Sequence, residues 1–292
     1  LHIQFHYKTS EDLEIYEADL PSKTQLEELC DVRQPILFDF ARETDIAMVT
    51  HPRFLATMNG DVELRELGEE KCNDILLPIG AWLSLFQKSS TNSSDTPQYI
   101  TENNAAFLQK SGITKLLKNS DTFLRPAMMS HCNYDVMMGT PNAYTPFRYL
   151  LSYRNFFIVT EGSVRMKISP PSSSFPLHKD YVRFEFASPV HPWNLTNKDI
   201  PKCLELTLHP GKTFFLPAYW WYSIQYSKGS SVTSLHYHTY MSTLSVLPHF
   251  GIYVLQMQNI KHPIAVKNVA VKKEKIEDSA TTTTATTTVT DI

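Results

Sequence analysis

Apolar and polar positions along this chain repeat at two different periods, and the texture changes near Phe123. Ahead of that point helical and strand-like patterns are mixed. Ile3-Gln4-Phe5-His6-Tyr7 alternates at period two and predicts an opening strand. Ser22-Lys23-Thr24-Gln25 after Pro21 is a capping box, which starts a helix continuing through Leu26, Leu29 and Cys30. Gln34-Pro35-Ile36-Leu37-Phe38 predicts a buried strand. Helical spacing marks residues 75–88 (Leu76, Leu77, Trp82, Leu83, Phe86) and 102–118 (Phe107, Leu108, Leu116, Leu117). Between these segments, Lys88 to Pro97 is rich in Ser, Thr and Asn and predicts a loop.

Beyond Phe123 short β-type runs follow one another: Phe156–Val159, Val164–Ile168, Val182–Phe186, Leu204–Leu208, Thr213–Leu216 and Ser231–Leu235. Turns rich in Gly, Pro, Ser and Asn separate them. This spacing predicts a mainly β fold with an α layer: a jelly roll or barrel over residues 123–260, supported by a mixed α/β region over 1–122. Residues 261–292 differ again. Lys272-Lys273-Glu274-Lys275 leads into Thr281–Ile292, where eight of twelve residues are Thr. Such a low-complexity tail has too little apolar surface to offset the entropy of ordering and is expected to be disordered.

Composition narrows the function classes. The 292 residues are 42% hydrophobic, enough for a large core, and 27 Lys and Arg against 30 Asp and Glu give a net charge of −3. A chain without basic excess is not expected to bind nucleic acid by neutralising phosphates. No apolar run approaches the ~20 residues of a membrane span. Leu1 in place of Met reads as a processed chain or a fragment, which leaves a signal or anchor upstream open. Cys30, Cys72, Cys132 and Cys203 are scattered and read as thiols rather than as a disulfide or zinc framework. Two sequons, Asn92-Ser93-Ser94 and Asn194-Leu195-Thr196, carry little information, and an intracellular location is expected with the compartment open.

Two segments of the β half concentrate unusual residues. The first is Gly139-Thr140-Pro141-Asn142-Ala143-Tyr144-Thr145-Pro146-Phe147-Arg148-Tyr149-Leu150, followed by Asn155-Phe156-Phe157 and Glu161-Gly162. The second is His209-Pro210-Gly211-Lys212-Thr213-Phe214-Phe215-Leu216-Pro217-Ala218-Tyr219-Trp220-Trp221-Tyr222. On their own these are turns, core strands and an aromatic plug at a barrel mouth. Together they resemble the JmjC/cupin-like Fe(II) and 2-oxoglutarate oxygenases, with the closest look to the asparaginyl hydroxylase that acts on hypoxia-inducible factor. That family reads G-x-x-x-x-x-T-P-x-H-x-D, then N-F-F and G-x-K, then P-G-D-x-x-x-I-P-x-Y-W-W-H. Ser169-Pro170-Pro171, Phe186-Ala187-Ser188-Pro189 and Tyr99-Ile100 add to a resemblance that runs from about Gln34 to Tyr240. It implies a double-stranded β-helix.

The implied chemistry does not carry over. These oxygenases hold Fe(II) with two His and one carboxylate, and the matching positions here are Arg148, Leu150 and Tyr222. A permanent cation, an alkyl chain and a phenol replace the ligand set. The Lys that anchors 2-oxoglutarate falls at Val164, whereas Thr145, Asn155 and Tyr99 match other co-substrate contacts. The expectation is a cupin-like protein without metal or cofactor, not an enzyme, that works as a structural or protein-interaction subunit of open oligomeric state. One alternative is an oxygenase using Fe(II) and 2-oxoglutarate through a displaced site. His236 and His238, two apart on one strand face, are the donors to suspect there; His131, His178, His191, His249 and Glu161 are further candidates. Among 11 His one H-x-H reads more simply as structural. The other alternative is a pocket for a small anion formed by Tyr99, Thr145, Asn155, Arg148 and Trp221. An inward Arg148 must be paired, by a carboxylate (Glu161 and Glu205 are suggested), a cluster of backbone carbonyls or a bound anion. Trp220 is expected in the core, and Tyr219 and Tyr222 on a partner-binding surface.

Overall fold

The structure is a computed structural model that describes residues 13–40, 43–67, 74–88, 98–181, 184–194 and 202–259. The strand expected at residues 3–7, nearly all of the loop ending at Pro97, Cys72 and the tail 261–292 lie outside the described residues.

Strands β1 (Tyr16–Ala18), β2 (Ile36–Phe38), β3 (Asp61–Leu67), β4 (Asp74–Pro78) and β5 (Gln98–Thr101) come from the first part of the chain. They are followed by β6 (Met129–Gly139), β7 (Arg148–Tyr149), β8 (Arg154–Glu161), β9 (Val164–Ser169), β10 (His178–Asp180), β11 (Glu185–Ala187), β12 (Leu204–Leu208), β13 (Thr213–Pro217), β14 (Trp221–Tyr226) and β15 (Ser231–Thr239). One sheet has nine strands in the order β1-β2-β13-β8-β15-β6-β5-β3-β4, and the second has six in the order β10-β11-β7-β14-β9-β12. β6 to β9 and β12 to β15 thus alternate between two facing sheets, as a jelly roll requires, β10 and β11 widen the smaller sheet, and the earlier strands extend both ends of the larger one.

Alternation along the strands divides the core. Phe157 and Val159 of β8 and Phe214 and Leu216 of β13 meet Met166, Ile168, Tyr222, Ile224 and Tyr226 of the smaller sheet inside the barrel. Their neighbours Phe156, Ile158, Phe215, Leu235 and Tyr237 face outward into a second cluster with Leu26, Ile46, Leu55, Trp82 and Leu117 of the helical layer. The capping box is present: Ser22 Oγ accepts from Gln25 N–H while Gln25 Oε1 accepts from Ser22 N–H, and helix α1 spans Lys23–Asp31.

Three expectations are corrected. Residues 75–78 of the expected helix belong to β4, because Ile75 and Leu77 pair antiparallel with Leu64 and Val62; the helix occupies only Ile79–Lys88. The helix expected over 102–118 is two, Ala105–Lys110 and Ile113–Ser120, parted by Gly112 at φ +78°. Tyr240–Asn259, in the part read as β, is a 20-residue helix. It seats Val246 in an aromatic nook with Leu151 and Phe186, and Phe250 stacks on Phe184 at 5.0 Å.

Candidate functional site

The short strand β7 sits between β11 and β14, with Arg148 paired to Ala187 on one side and Tyr222 on the other. This places the Arg148 side chain at the mouth of the barrel, where it is buried. Its three donor groups are all engaged. Nε donates to Tyr222 Oη at 3.1 Å, Nη1 to Glu185 Oε1 at 2.8 Å and Nη2 to Glu102 Oε2 at 2.6 Å. Arg65 on β3 closes the circuit, with Nη1 2.9 Å from Glu102 Oε1 and Nη2 3.5 Å from Glu185 Oε2. Two guanidinium groups and two carboxylates therefore form a buried ring with no net charge. It ties β3 and the end of β5 in the large sheet to β7 and β11 in the small one. Asp135 of β6 holds the residues after Glu102, accepting from the backbone N–H of Asn103 at 2.8 Å and Asn104 at 2.7 Å.

Burial pushes Glu185 up, but the charges of Arg148 and Arg65 outweigh it and hold the carboxyl below its usual range. Burial pushes the Tyr222 phenol up to about 12 against the pull of Arg148, so it stays protonated at neutral pH.

The carboxylates suggested for Arg148 are not the ones it meets. Glu161 lies 4.0 Å from His51 on the surface, and Glu205 faces Arg165 and Lys167. Each of them stands on the wrong strand face or sheet end. Tyr222 is 1% exposed, which removes it from any partner-binding surface, and Trp220 is fully buried. Leu150 packs against the barrel cluster and Val164 is fully buried in it. Among the proposed pocket residues, Asn155 faces the barrel interior and binds Leu216 O through Nδ2 at 3.1 Å. Thr145 is committed to the backbone: Oγ1 accepts from Ile224 N–H at 2.9 Å. Tyr99 uses its backbone N–H on Thr140 Oγ1 at 2.9 Å. Trp221 points to the opposite sheet face from Tyr222, into a cluster with Phe147 and Phe175. Trp221 thus stands apart from the barrel interior that Asn155 faces.

His236 and His238 do share a strand face. His236 Nδ1 lies 2.9 Å from Asn155 Oδ1, which also accepts from the Ser152 hydroxyl, and its ring meets Phe157 edge-on at 5.8 Å. His238 stacks on His131 with centroids 4.4 Å apart. Burial, with help from neighbouring charges, pushes His236 down to about 3 and His238 down to about 4. Among the described residues no three His, Cys, Asp or Glu side chains come together as a metal centre needs.

Sequence reasoning missed Arg65, Glu102 and Glu185. The signal for Glu185 was available: it alternates with Phe186 in a short strand, so burying Phe186 outside turns Glu185 toward the mouth.

Two facing sheets of alternating strands around an apolar interior, with a polar cluster at one mouth, define a cupin-type barrel. The cupin-like domain model matches residues 57–243, well over half of the chain, and the chain belongs to that family, within the cupin/JmjC superfamily. No curated protein matches it significantly. At the three positions that the resemblance to the iron oxygenases assigns to metal ligands, the residues present do not fit iron: the Arg148 guanidinium is hydrogen-bonded to the Tyr222 phenol, and Leu150 is an alkyl chain.

Proposed function

We propose that this protein is a cupin-like barrel that has no metal-dependent oxygenase chemistry and works by binding another protein. The observation that carries the reading is Arg148, a permanent cation each of whose three nitrogens donates to Tyr222, Glu185 or Glu102. A dication placed beside it would be repelled at close range, and the two carboxylates that could attract one are already neutralised. The likeness to the asparaginyl hydroxylases then describes the scaffold alone. An anionic ligand is disfavoured by the same ring, since it would have to displace Glu102 or Glu185 to reach Arg148. The test is metal content and turnover of the purified chain. The expected result is no stoichiometric iron after loading with Fe(II) and no succinate from 2-oxoglutarate above a buffer blank. Near-stoichiometric iron in the purified chain, or succinate formation, would overturn the reading.

A further inference from the structure

We infer that the groove beside the edge strand β1 and helix α1 is the partner-binding surface, and that it takes an extended basic segment of another protein carrying an apolar anchor; this rests on the reading that the protein works by binding. Two hollows of about 450 and 400 Å³ meet there at Pro21. Leu20, Pro21, Phe40 and Phe123 wall the first, with the rings of Phe40 and Phe123 stacked at 5.2 Å. Ala18, Pro21, Leu29 and Val32 wall the second. Leu20 and Val32 are 64% and 48% exposed, so apolar lining stands open to water on both sides of Pro21. Leu20 is also held at φ +41°, a left-handed conformation that is strained for a residue with a side chain.

Charge decides which partner fits. Residues 13–40 hold seven Asp and Glu against two Lys and Arg, a net −5 where the whole chain has −3. The bases on this side are already engaged. Lys23 Nζ donates to the Thr122 carbonyl at 2.9 Å, and Arg154 holds Glu27 and Asp31. Lys212 pairs with Asp39 at 3.1 Å, with Glu17 and Asp19 further off. Glu17, Asp19 and Glu28 form no ion pair among the described residues, and Asp19 and Glu28 line the second hollow. A basic segment is attracted to this rim and an acidic one repelled. The edge sets the segment's shape. Among the described residues β1 is the last strand of the larger sheet on this side. Tyr16 N–H donates to Pro35 O and Ala18 O accepts from Asp39 N–H, so the N–H and C=O of Glu17 between them point away from β2. An extended chain laid beside β1 meets that pair, as peptides added to a sheet edge do.

The experiment is selection of a phage-displayed random dodecapeptide library on the full chain, followed by fluorescence anisotropy with the enriched peptide. The expected peptides carry Lys or Arg on both sides of a Leu, Ile or Phe, and their binding weakens as NaCl is raised. Asp19→Lys with Glu28→Lys is expected to weaken binding about tenfold. Asp45→Lys with Asp61→Lys, the same change of net charge at exposed residues outside the groove, is expected to leave it in place. Leu20→Gly removes one wall at a φ that glycine adopts without strain, so lost affinity with an undiminished melting temperature separates the groove from the fold. A library that enriches nothing, or enriches neutral or acidic sequences, overturns the inference, as does binding indifferent to Asp19→Lys with Glu28→Lys. Enrichment only after removal of residues 260–292 also overturns it, and assigns the groove to the chain's own segment 260–275, with its five Lys against one Glu. Iron content and succinate formation are unaffected by any of these results, so the groove can fail while the metal-free reading stands.

Discussion

Arg148 shows how a side chain that is wrong for catalysis can be right for the barrel. A guanidinium taken out of water costs several kcal/mol unless its donors are met, and here three acceptors meet them. Removing one member is the damaging change, because it leaves buried charges of one sign uncompensated. Arg148→Leu is expected to lower stability by about 3–5 kcal/mol, measured by urea unfolding. Adding Glu102→Gln to it is expected to restore part of that loss, since the surviving Arg65 can satisfy Glu185 alone; strict additivity of the two changes would contradict the ring. The need for a counter-charge was legible from Arg148 in the sequence, but its identity was not, because Glu102 lies 46 residues away and Arg65 reaches it from another strand. Two half-buried histidines set a separate pH dependence. His236 and His238 have folded-state values of about 3 and 4, below the unfolded value of about 6.5. The unfolded chain therefore takes up protons that the folded chain refuses, and stability present above pH ~6.5 is lost as pH falls toward 4, by up to about 1.4 kcal/mol per pH unit for each group. His236→Gln is expected to make the unfolding free energy less steep between pH 6.5 and 4; an unchanged slope would show that His236 ionises freely.

Elements were legible where one periodicity ruled them and a terminus marked their ends. Leu204–Leu208 has the bounds its alternation predicts, and Ser22 starts α1 as its capping box requires. Where tertiary pairing decided, pattern failed: Leu76 and Leu77 fit a helical face, yet β3 offered the 74–78 segment a ladder. The helix Tyr240–Asn259 was invisible for a different reason. Its apolar residues lie nearly all round, leaving no stripe to count, and Pro248 and Gly251 argue locally against a helix. The turn joining β8 to β9, which carries the chain from the large sheet to the small one, was marked by Gly162, and the structure gives the reason in two parts. Gly162 has φ +70°, and a Cβ on it would stand 2.8 Å from the carbonyl oxygen of Gly229. Gly211 has φ +99° but open space around its Cβ. Gly211→Ala is thus expected to cost about 1 kcal/mol from backbone strain alone, and Gly162→Ala about 1–3 kcal/mol more from the backbone clash. Thermal unfolding of the two variants checks the order; equal losses would mean the β8–β9 turn yields.

At the scale of the whole molecule, the ring joins the large sheet to the small one at the mouth, a place where oxygenases of this superfamily gather ligands around a metal. Here Arg65 and Glu102 belong to one sheet side and Arg148 and Glu185 to the other, so the chain's own charges span the gap. On the proposed reading the barrel owes nothing of its folding to metal, and linkage turns that into a number. A ligand at a hundred times its dissociation constant stabilises the folded state by about 2.7 kcal/mol. For a chain of this size each kcal/mol moves the melting temperature by roughly 2 °C or more. A site of micromolar affinity would therefore raise the midpoint by about 5 °C at 100 μM metal. The expected outcome, read by differential scanning fluorimetry with Fe(II) under anaerobic conditions, Mn(II) or Zn(II), is a shift below about 1 °C that does not saturate. EDTA is likewise expected to leave the midpoint in place. A saturable rise that disappears in His236→Gln would instead locate metal on the strand β15 face and return the barrel to the chemistry its scaffold supports elsewhere.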